Sequence, residues 1–168
     1  MKNAAVLGAG TMGNGIAHVF AQSGYQVALF DVSEAALTRA VATIEKNLDR
    51  QVAKGTLSTA DKDAALSRIQ TVTSLEAAVS QADLVVEAAT ENEAVKMKIF
   101  EDLDRLAPAH CILASNTSSL SITRIAAATQ RPEQVIGMHF MNPVPVMKLV
   151  EIIRGFKTSD ATTDAVIR

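Results

Sequence analysis

The sequence is poor in the features that mark several protein classes: its 168 residues include one cysteine and four prolines, and its formal charge is only −2. The single Cys111 excludes an internal disulfide and is typical of a reducing compartment. Sixteen basic against eighteen acidic side chains give no electrostatic case for a nucleic acid as the main partner. The sequence has no apolar run of roughly 18 residues, as a membrane span needs, and no signal-peptide pattern. We therefore expect a cytoplasmic protein without a membrane or nucleic-acid partner.

Strand and helix signals alternate along the chain, from AAVLGAG near the start to SDATTDAVIR at the end. Strands that alternate with helices indicate βαβ units and a doubly wound, mainly parallel α/β sheet. A long pair of helices, over residues 33–55 and 58–69, is predicted after the second strand. With 48% hydrophobic residues the chain is able to bury one core, so we expect one domain over residues 1–168.

The last two predicted strands, 135–140 and 146–155, are joined by the short segment MNPVP. This connection is too short for a helical crossover, which predicts an antiparallel hairpin at the C-terminal edge of the sheet. If the hairpin turns near Pro145, residues whose numbers sum to about 290 lie opposite each other. His139 and Glu151 meet this condition, so their spacing alone predicts that they pair.

The segment VLGAGTMGNG contains the spacing Gly8-x-Gly10-x-x-Gly13 between a predicted strand and a predicted helix. In such a turn the first glycine permits a tight bend, the second lets backbone approach a pyrophosphate, and the third lets the helix pack close to the strand. Asp31, at the end of the second strand, is placed to bind ribose hydroxyls. Residues 32–33 offer no arginine for a 2′-phosphate, so the pattern favours NAD over NADP. A flavin nucleotide and a turn without cofactor remain alternatives.

A basic row lies along the long helix, because Lys46, Arg50 and Lys54 recur every four residues. Such a row can hold the phosphates of an anionic ligand. It can equally be an ordinary solvated face, since Glu45 and Asp49 lie beside it, and the spacing alone favours this second interpretation.

Two later motifs, ASNTSSL (114–120) and GMHFMNPVPVMKLVEII (137–153), are more specific than the glycine turn. Together with GAGTMGNGIA they closely resemble the L-3-hydroxyacyl-CoA dehydrogenases, including the 3-hydroxybutyryl-CoA members, and the resemblance runs over the whole chain. It implies the Rossmann-type, NAD-binding domain of an oxidoreductase of fatty acid metabolism, in β-oxidation or butanoate metabolism, with an acyl-CoA substrate.

Members of that family add a helical C-terminal domain, which is absent from residues 1–168. In the family this domain supplies an Asn for the substrate oxygen, part of the acyl-CoA site and most of the dimer interface. The resemblance therefore implies that the full-length protein is a homodimer through that domain, and that this chain alone has low activity.

Matched residue by residue, the resemblance places the family's catalytic base on His139, its orienting acid on Glu151, and the serine that contacts the substrate oxygen on Ser118. Lys54 matches a residue that contacts CoA phosphates, and Asn142 matches one near both the nicotinamide and the base. No metal is implied. The residues expected to bind the cofactor are Gly8, Gly10, Thr11, Met12, Gly13, Asp31, Glu91, Lys96, Asn116 and Asn142.

Two alternatives stay open. A hydroxy-acid dehydrogenase of the same superfamily, such as an L-gulonate dehydrogenase or a lambda-crystallin relative, would use the same His139–Glu151 pair without needing Lys54. A nucleotide-binding module that is inactive alone would bind NAD and turn over poorly.

Overall fold

The structure, a computed structural model, describes residues 1–167. Within these residues the strands are β1 (Asn3–Leu7), β2 (Gln26–Phe30), β3 (Ile69–Val72), β4 (Leu84–Glu87), β5 (Ile112–Ser115), β6 (Val135–Phe140) and β7 (Val150–Arg154). The helices are α1 (Thr11–Gln22), α2 (Glu34–Ala53), α3 (Thr59–Ser67), α4 (Leu75–Val79), α5 (Glu93–Leu106), α6 (Ile122–Ala126) and α7 (Asp160–Ile167), with a 3-10 turn at Pro132–Gln134. Over the same residues, no helix combines the length and apolar character needed to cross a membrane.

All seven strands described for residues 1–167 join one sheet in the order β3-β2-β1-β4-β5-β6-β7. The first six are parallel, and β7 runs antiparallel to β6 at the edge. This confirms the predicted doubly wound sheet, the C-terminal edge hairpin and the helix pair, α2 and α3, after β2. The last strand is shorter than predicted because Pro143 O accepts the N–H groups of Val146 and Met147, which folds the start of that segment into a turn.

Helices α2 and α3 begin at serine caps, and α1 and α2 are followed by glycines. Ser33 and Ser58 accept the N–H of Ala36 and Asp61 at the starts of α2 and α3. Gly24 and Gly55 follow α1 and α2 with φ values of +102° and +75°, the left-handed conformation that ends helices. These boundaries agree with the predicted starts and stops.

The sheet buries one apolar layer on each face. Alternate residues point to opposite faces of a strand, so Val86 joins the layer under α1 and α2, while Val85 joins the layer under α5. By the same alternation, the last residues of β4 and β5, Glu87 and Ser115, point towards the α5 layer. Cys111 lies in this layer, and burial raises the pKa of its thiol to about 12, which agrees with a structural rather than a nucleophilic cysteine.

Candidate active site

The candidate site lies along the edge of the sheet where the six parallel strands end. The chain leaves β1 towards β2 on one side, whereas β4 pairs with β1 on the other side. The loops after β1 and β4 therefore diverge and leave a crevice between them, which is where ligands bind in open α/β sheets.

The glycine turn after β1 fits a dinucleotide in three separate respects. Gly8 has φ +100°, and a Cβ there would lie 2.7 Å from Ala88 O. A Cβ on Gly13 would lie 1.7 Å from Gly8 O, so helix and turn are in direct backbone contact. A Cβ on Gly10 would meet no atom within 4 Å among the described residues, so this position opens into the crevice. The first turn of α1 can therefore receive a pyrophosphate on its N–H groups.

Asp31 lies at the mouth of the same crevice, directly after β2. Its Oδ2 accepts the Ala9 N–H and its Oδ1 the Ser33 N–H, both at 2.9 Å. These bonds hold the carboxylate beside the glycine turn, and its remaining lone pairs can accept ribose hydroxyls. Asp31 and Gly10 border a cavity of about 480 Å³ that Arg39 also lines. Arg39 is not evident from residues 32–33, because it is α2 that brings residue 39 back over the cavity.

The other cofactor residues of the turn differ in their surroundings. Thr11 is exposed at the first position of α1. Met12 is partly buried and packs against the core layer. Thr11 thus faces the crevice entrance, whereas Met12 contributes mainly to the floor beneath the turn.

The β6–β7 hairpin places His139 directly opposite Glu151, which confirms the register predicted from the spacing. His139 Nδ1 lies 3.8 Å from Glu151 Oε1, too long for a hydrogen bond and short enough for an ion pair with a protonated imidazole. The His139 side chain is 25% exposed and the Glu151 side chain 54%. Glu151 engages the Nδ1 side of the ring, so Nε2 is the nitrogen available to a ligand.

The loop after β6 carries Asn142 and is anchored to helix α1. Val144 is 4% exposed and packs onto Gly15 of α1, where a Cβ would lie only 2.7 Å from Val144 Cβ. Asn142 is exposed, two residues before this anchor. The contact ties the segment beside His139 to the helix that begins at the glycine turn, and neither Gly15 nor Val144 is among the residues predicted from the sequence.

The loop after β5 carries the two residues expected to meet cofactor and substrate. Asn116 Oδ1 accepts the Phe140 N–H at 2.8 Å, which joins this loop to the end of β6. Ser118 is exposed on the same loop. Glu91, from the loop after β4, accepts the hydroxyls of Thr117 and Ser119 at 2.9 Å each. Glu91 therefore fastens the two loops together, and its contact with the cofactor stays a prediction.

Lys96 has an unexpected position. Its side chain is 1% exposed, and its Nζ donates to Glu87 Oε1 at 2.6 Å and to Ser115 Oγ at 3.1 Å. The ammonium group thus lies beneath the crevice and is directed at a buried carboxylate. Glu87 and Ser115 were missed in the sequence. The burial of Lys96 could have been predicted, because Lys96 lies on the same helical face as the apolar Phe100, four residues later.

Lys54 is the predicted site residue that the structure places apart from the others. It is the exposed C-cap of α2, a helix of 20 residues that spans about 30 Å from its start beside Asp31. A ligand that touches both Asp31 and Lys54 must therefore be long. The structure gathers the remaining predicted residues along the carboxyl edge of the sheet or directly beneath it.

Comparison with known proteins agrees with this geometry. The family model described as "3-hydroxyacyl-CoA dehydrogenase, NAD binding domain" matches residues 3–168. A 3-hydroxybutyryl-CoA dehydrogenase of Bradyrhizobium diazoefficiens is 53% identical over 165 residues, which is 98% of this chain and 56% of that protein. The human mitochondrial hydroxyacyl-coenzyme A dehydrogenase is 46% identical over 173 residues, covering 99% and 55% of the two chains.

Among solved structures, the (S)-3-hydroxybutyryl-CoA dehydrogenase PaaH1 from Ralstonia eutropha superposes with a TM-score of 0.95 at 50% identity. That match covers 99% of this chain and 58% of the other. The chain thus spans a little over half the length of the relatives it matches.

The glycine turn provides a matched pair of variants. We expect Gly10→Ala to keep the thermal unfolding midpoint and to weaken NADH binding at least tenfold, because its Cβ enters the open crevice. Gly13→Ala should instead lower the midpoint, because its Cβ overlaps Gly8 O. Calorimetric titration with NADH and thermal unfolding followed by circular dichroism measure the two effects. Unchanged NADH affinity in Gly10→Ala would contradict the assignment of the crevice.

Proposed function

The chain belongs to the 3-hydroxyacyl-CoA dehydrogenase family, as its NAD-binding domain, and from this premise we propose that the protein interconverts an L-3-hydroxyacyl-CoA and the 3-ketoacyl-CoA. The observation that carries the proposal is the register that sets His139 opposite Glu151 at the edge of the sheet where the glycine turn opens. A base with an orienting acid beside a dinucleotide crevice supplies the proton acceptor and the hydride-acceptor site that alcohol oxidation needs.

Oxidation of a secondary alcohol removes a proton from oxygen and a hydride from carbon. NAD, when bound, supplies the hydride acceptor. His139 takes the hydroxyl proton on Nε2, and in the reverse direction it returns that proton to the keto oxygen. Glu151 acts on Nδ1, where it fixes the tautomer and stabilises the imidazolium. The 3.8 Å separation of Nδ1 and Oε1 is closed by side-chain rotation, as is common when a site binds its substrate.

The substrate oxygen needs a second polar partner as charge develops on it. Ser118 is suited to this role because it is exposed on the loop after β5, which Asn116 fastens to the end of β6. Asn142, exposed in the loop after His139, is placed to contact the cofactor or the substrate near the base. In this proposal Ser118 polarises the oxygen and His139 exchanges its proton.

The CoA part of the substrate is assigned to the basic row on α2. Lys46, Arg50 and Lys54 are exposed along one face over about 12 Å of helix. Three cations in one row favour a ligand that carries several phosphates. An acyl-CoA carries such phosphates, whereas a free hydroxy acid has none.

Replacement of His139 by glutamine tests the base. In the full-length protein His139→Gln should lower the rate of acetoacetyl-CoA reduction at least 1000-fold, because the proton transfer is lost while the amide keeps the side chain polar. NADH affinity should stay within about threefold of the wild type. Stopped-flow absorbance and NADH titration measure the two quantities, and near-normal turnover would refute the role of His139.

The substrate class is tested with Lys54→Ala, with Lys46→Ala as the matched control at the other end of the row. Lys54→Ala should raise the KM for acetoacetyl-CoA about tenfold and leave kcat unchanged, since in this proposal the lysine binds the CoA part of the substrate and not the reacting atoms. Lys46→Ala should change KM less. Measuring 3-hydroxybutyryl-CoA against free 3-hydroxybutyrate on the wild type separates this proposal from a hydroxy-acid dehydrogenase, for which the free acid would be the better substrate.

We further propose that full turnover and dimer formation need a second, helical domain, because the chain spans 56% of a relative that carries the activity in its name. Residues 1–168 should bind NADH with near full-length affinity and reduce acetoacetyl-CoA at least 100-fold more slowly. Sedimentation velocity should show a monomer for this segment and a dimer for the full-length protein. Full-length turnover rates in residues 1–168 alone would overturn this proposal.

A further inference from the structure

A buried carboxylate that the proposed chemistry does not use lies at the end of β4. Glu87 is 0% exposed, and both of its oxygens are occupied. Oε1 accepts from Lys96 Nζ at 2.6 Å and from Ser115 Oγ at 2.8 Å. Oε2 accepts the N–H groups of Ala89 and Thr90 at 2.8 and 3.2 Å. One side chain thus receives four hydrogen bonds from three separate segments of the chain.

The four donors belong to the loop after β4, to the end of β5 and to helix α5. Ala89 and Thr90 lie in the loop after β4, and Ala89 lines the cavity beside the glycine turn. Ser115 is the last residue of β5 and pairs with Glu87 in the sheet. Its Oγ also lies 3.3 Å from the Thr117 N–H, which begins the loop that carries Ser118. Glu87 is therefore in contact, directly or through Ser115, with both loops.

A buried ion pair of this kind is weak evidence for a stabilising role. Removing two charges from water costs several kcal/mol per ion, and buried ion pairs are often replaced by apolar groups without loss of stability. The surrounding layer of Phe100, Leu103 and Leu113 could continue under the loops with apolar side chains in both positions. A carboxylate differs from such groups in having two acceptor oxygens, so it can bind the backbone of the loop after β4 through Oε2 and the hydroxyl of Ser115, which precedes the other loop, through Oε1.

We propose that Glu87 is a positioning residue that sets the distance between the loop after β4 and the loop after β5. Lys96 is its buried counter-charge and Ser115 its link to the second loop. Through this separation Glu87 aligns the nicotinamide side of the crevice with Ser118, a consequence that rests on the proposed function. The positioning itself is a property of the protein alone.

Glu87→Gln is the informative variant because glutamine keeps the shape but offers one acceptor oxygen where four donors converge. In the protein without ligand, hydrogen–deuterium exchange should become at least fivefold faster in both loops, residues 88–92 and 116–120. Peptides of β1 and α2 should exchange as in the wild type. In Glu87→Gln the buried ammonium of Lys96 loses its counter-charge, which should lower the thermal midpoint. The double variant Glu87→Gln/Lys96→Met removes that ammonium, so its midpoint should return to the wild-type value while both loops keep their fast exchange.

Asp104→Asn is the matched control. Asp104 pairs with Arg131 at 2.9 Å, and both side chains are largely buried, 15% and 11% exposed. This pair lies at the end of α5 near Cys111, where β5 begins, and is therefore at the opposite edge of the sheet from the crevice. Its loss should lower the thermal midpoint without faster exchange in residues 88–92 or 116–120.

A kinetic readout in the full-length protein tests the catalytic consequence. With NADH deuterated at the transferred position, Glu87→Gln should show a larger isotope effect on kcat than the wild type, because misalignment slows hydride transfer itself. Asp104→Asn should leave the isotope effect unchanged, since a smaller folded fraction does not alter the chemical step.

Three exchange results would overturn the positioning role: no change in either loop, a change confined to residues 88–92, or an equal increase over the whole protein. Recovery of slow loop exchange in the double variant would also overturn it. If the wild type bound NADH and reduced no acyl-CoA ester, the proposed function would fail. The exchange comparison would still decide the role of Glu87, because it needs no substrate.

Discussion

The antiparallel pairing of β6 with β7 is the constraint on which the candidate site depends. A shift of one residue in this pairing would turn Glu151 to the opposite face of the sheet and leave His139 without its carboxylate. Two contacts hold the register. Gly137 lies opposite Ile153, and a Cβ on Gly137 would be 2.9 Å from Ile153 Cβ, so only glycine lets the strands approach this closely. Beyond the strand, Val144 packs onto Gly15 of α1 and fixes the connecting loop.

The parallel part of the sheet supplies the second half of the site, because every parallel strand ends at the same edge. Polar side chains at or just beyond these ends then fasten neighbouring loops together: Asp31 holds the turn after β1, Glu91 holds the loop after β5, and Asn116 holds the end of β6. Each of these bonds joins segments that follow different strands. The crevice is therefore defined by side-chain acceptors at the strand ends as much as by the glycine turn.

Periodicity and spacing were sufficient to predict the fold and its most important pair. Alternating strand and helix patterns predicted the doubly wound sheet, and the short MNPVP connection predicted the hairpin and the His139–Glu151 register. These succeeded because each depends on neighbouring parts of the chain. The start of β7 was placed too early, since the bonds from Val146 and Met147 to Pro143 O are not visible in the apolar pattern.

The missed residues depend on contacts between distant segments. Lys96 shares a helical face with Phe100, yet its burial becomes evident only when α5 is known to lie over the ends of β4 and β5. Arg39 reaches the cofactor cavity for a similar reason, because the direction in which α2 leaves β2 decides which of its faces covers Asp31. We propose that His139 and Glu151 act on a ligand held at the edge of the sheet. A crystal structure of the full-length protein with NAD⁺ and acetoacetyl-CoA is the most direct test. We expect the keto oxygen within about 2.6–3.2 Å of His139 Nε2, with Glu151 on Nδ1. A keto oxygen bound away from His139, with the imidazole facing solvent, would contradict it.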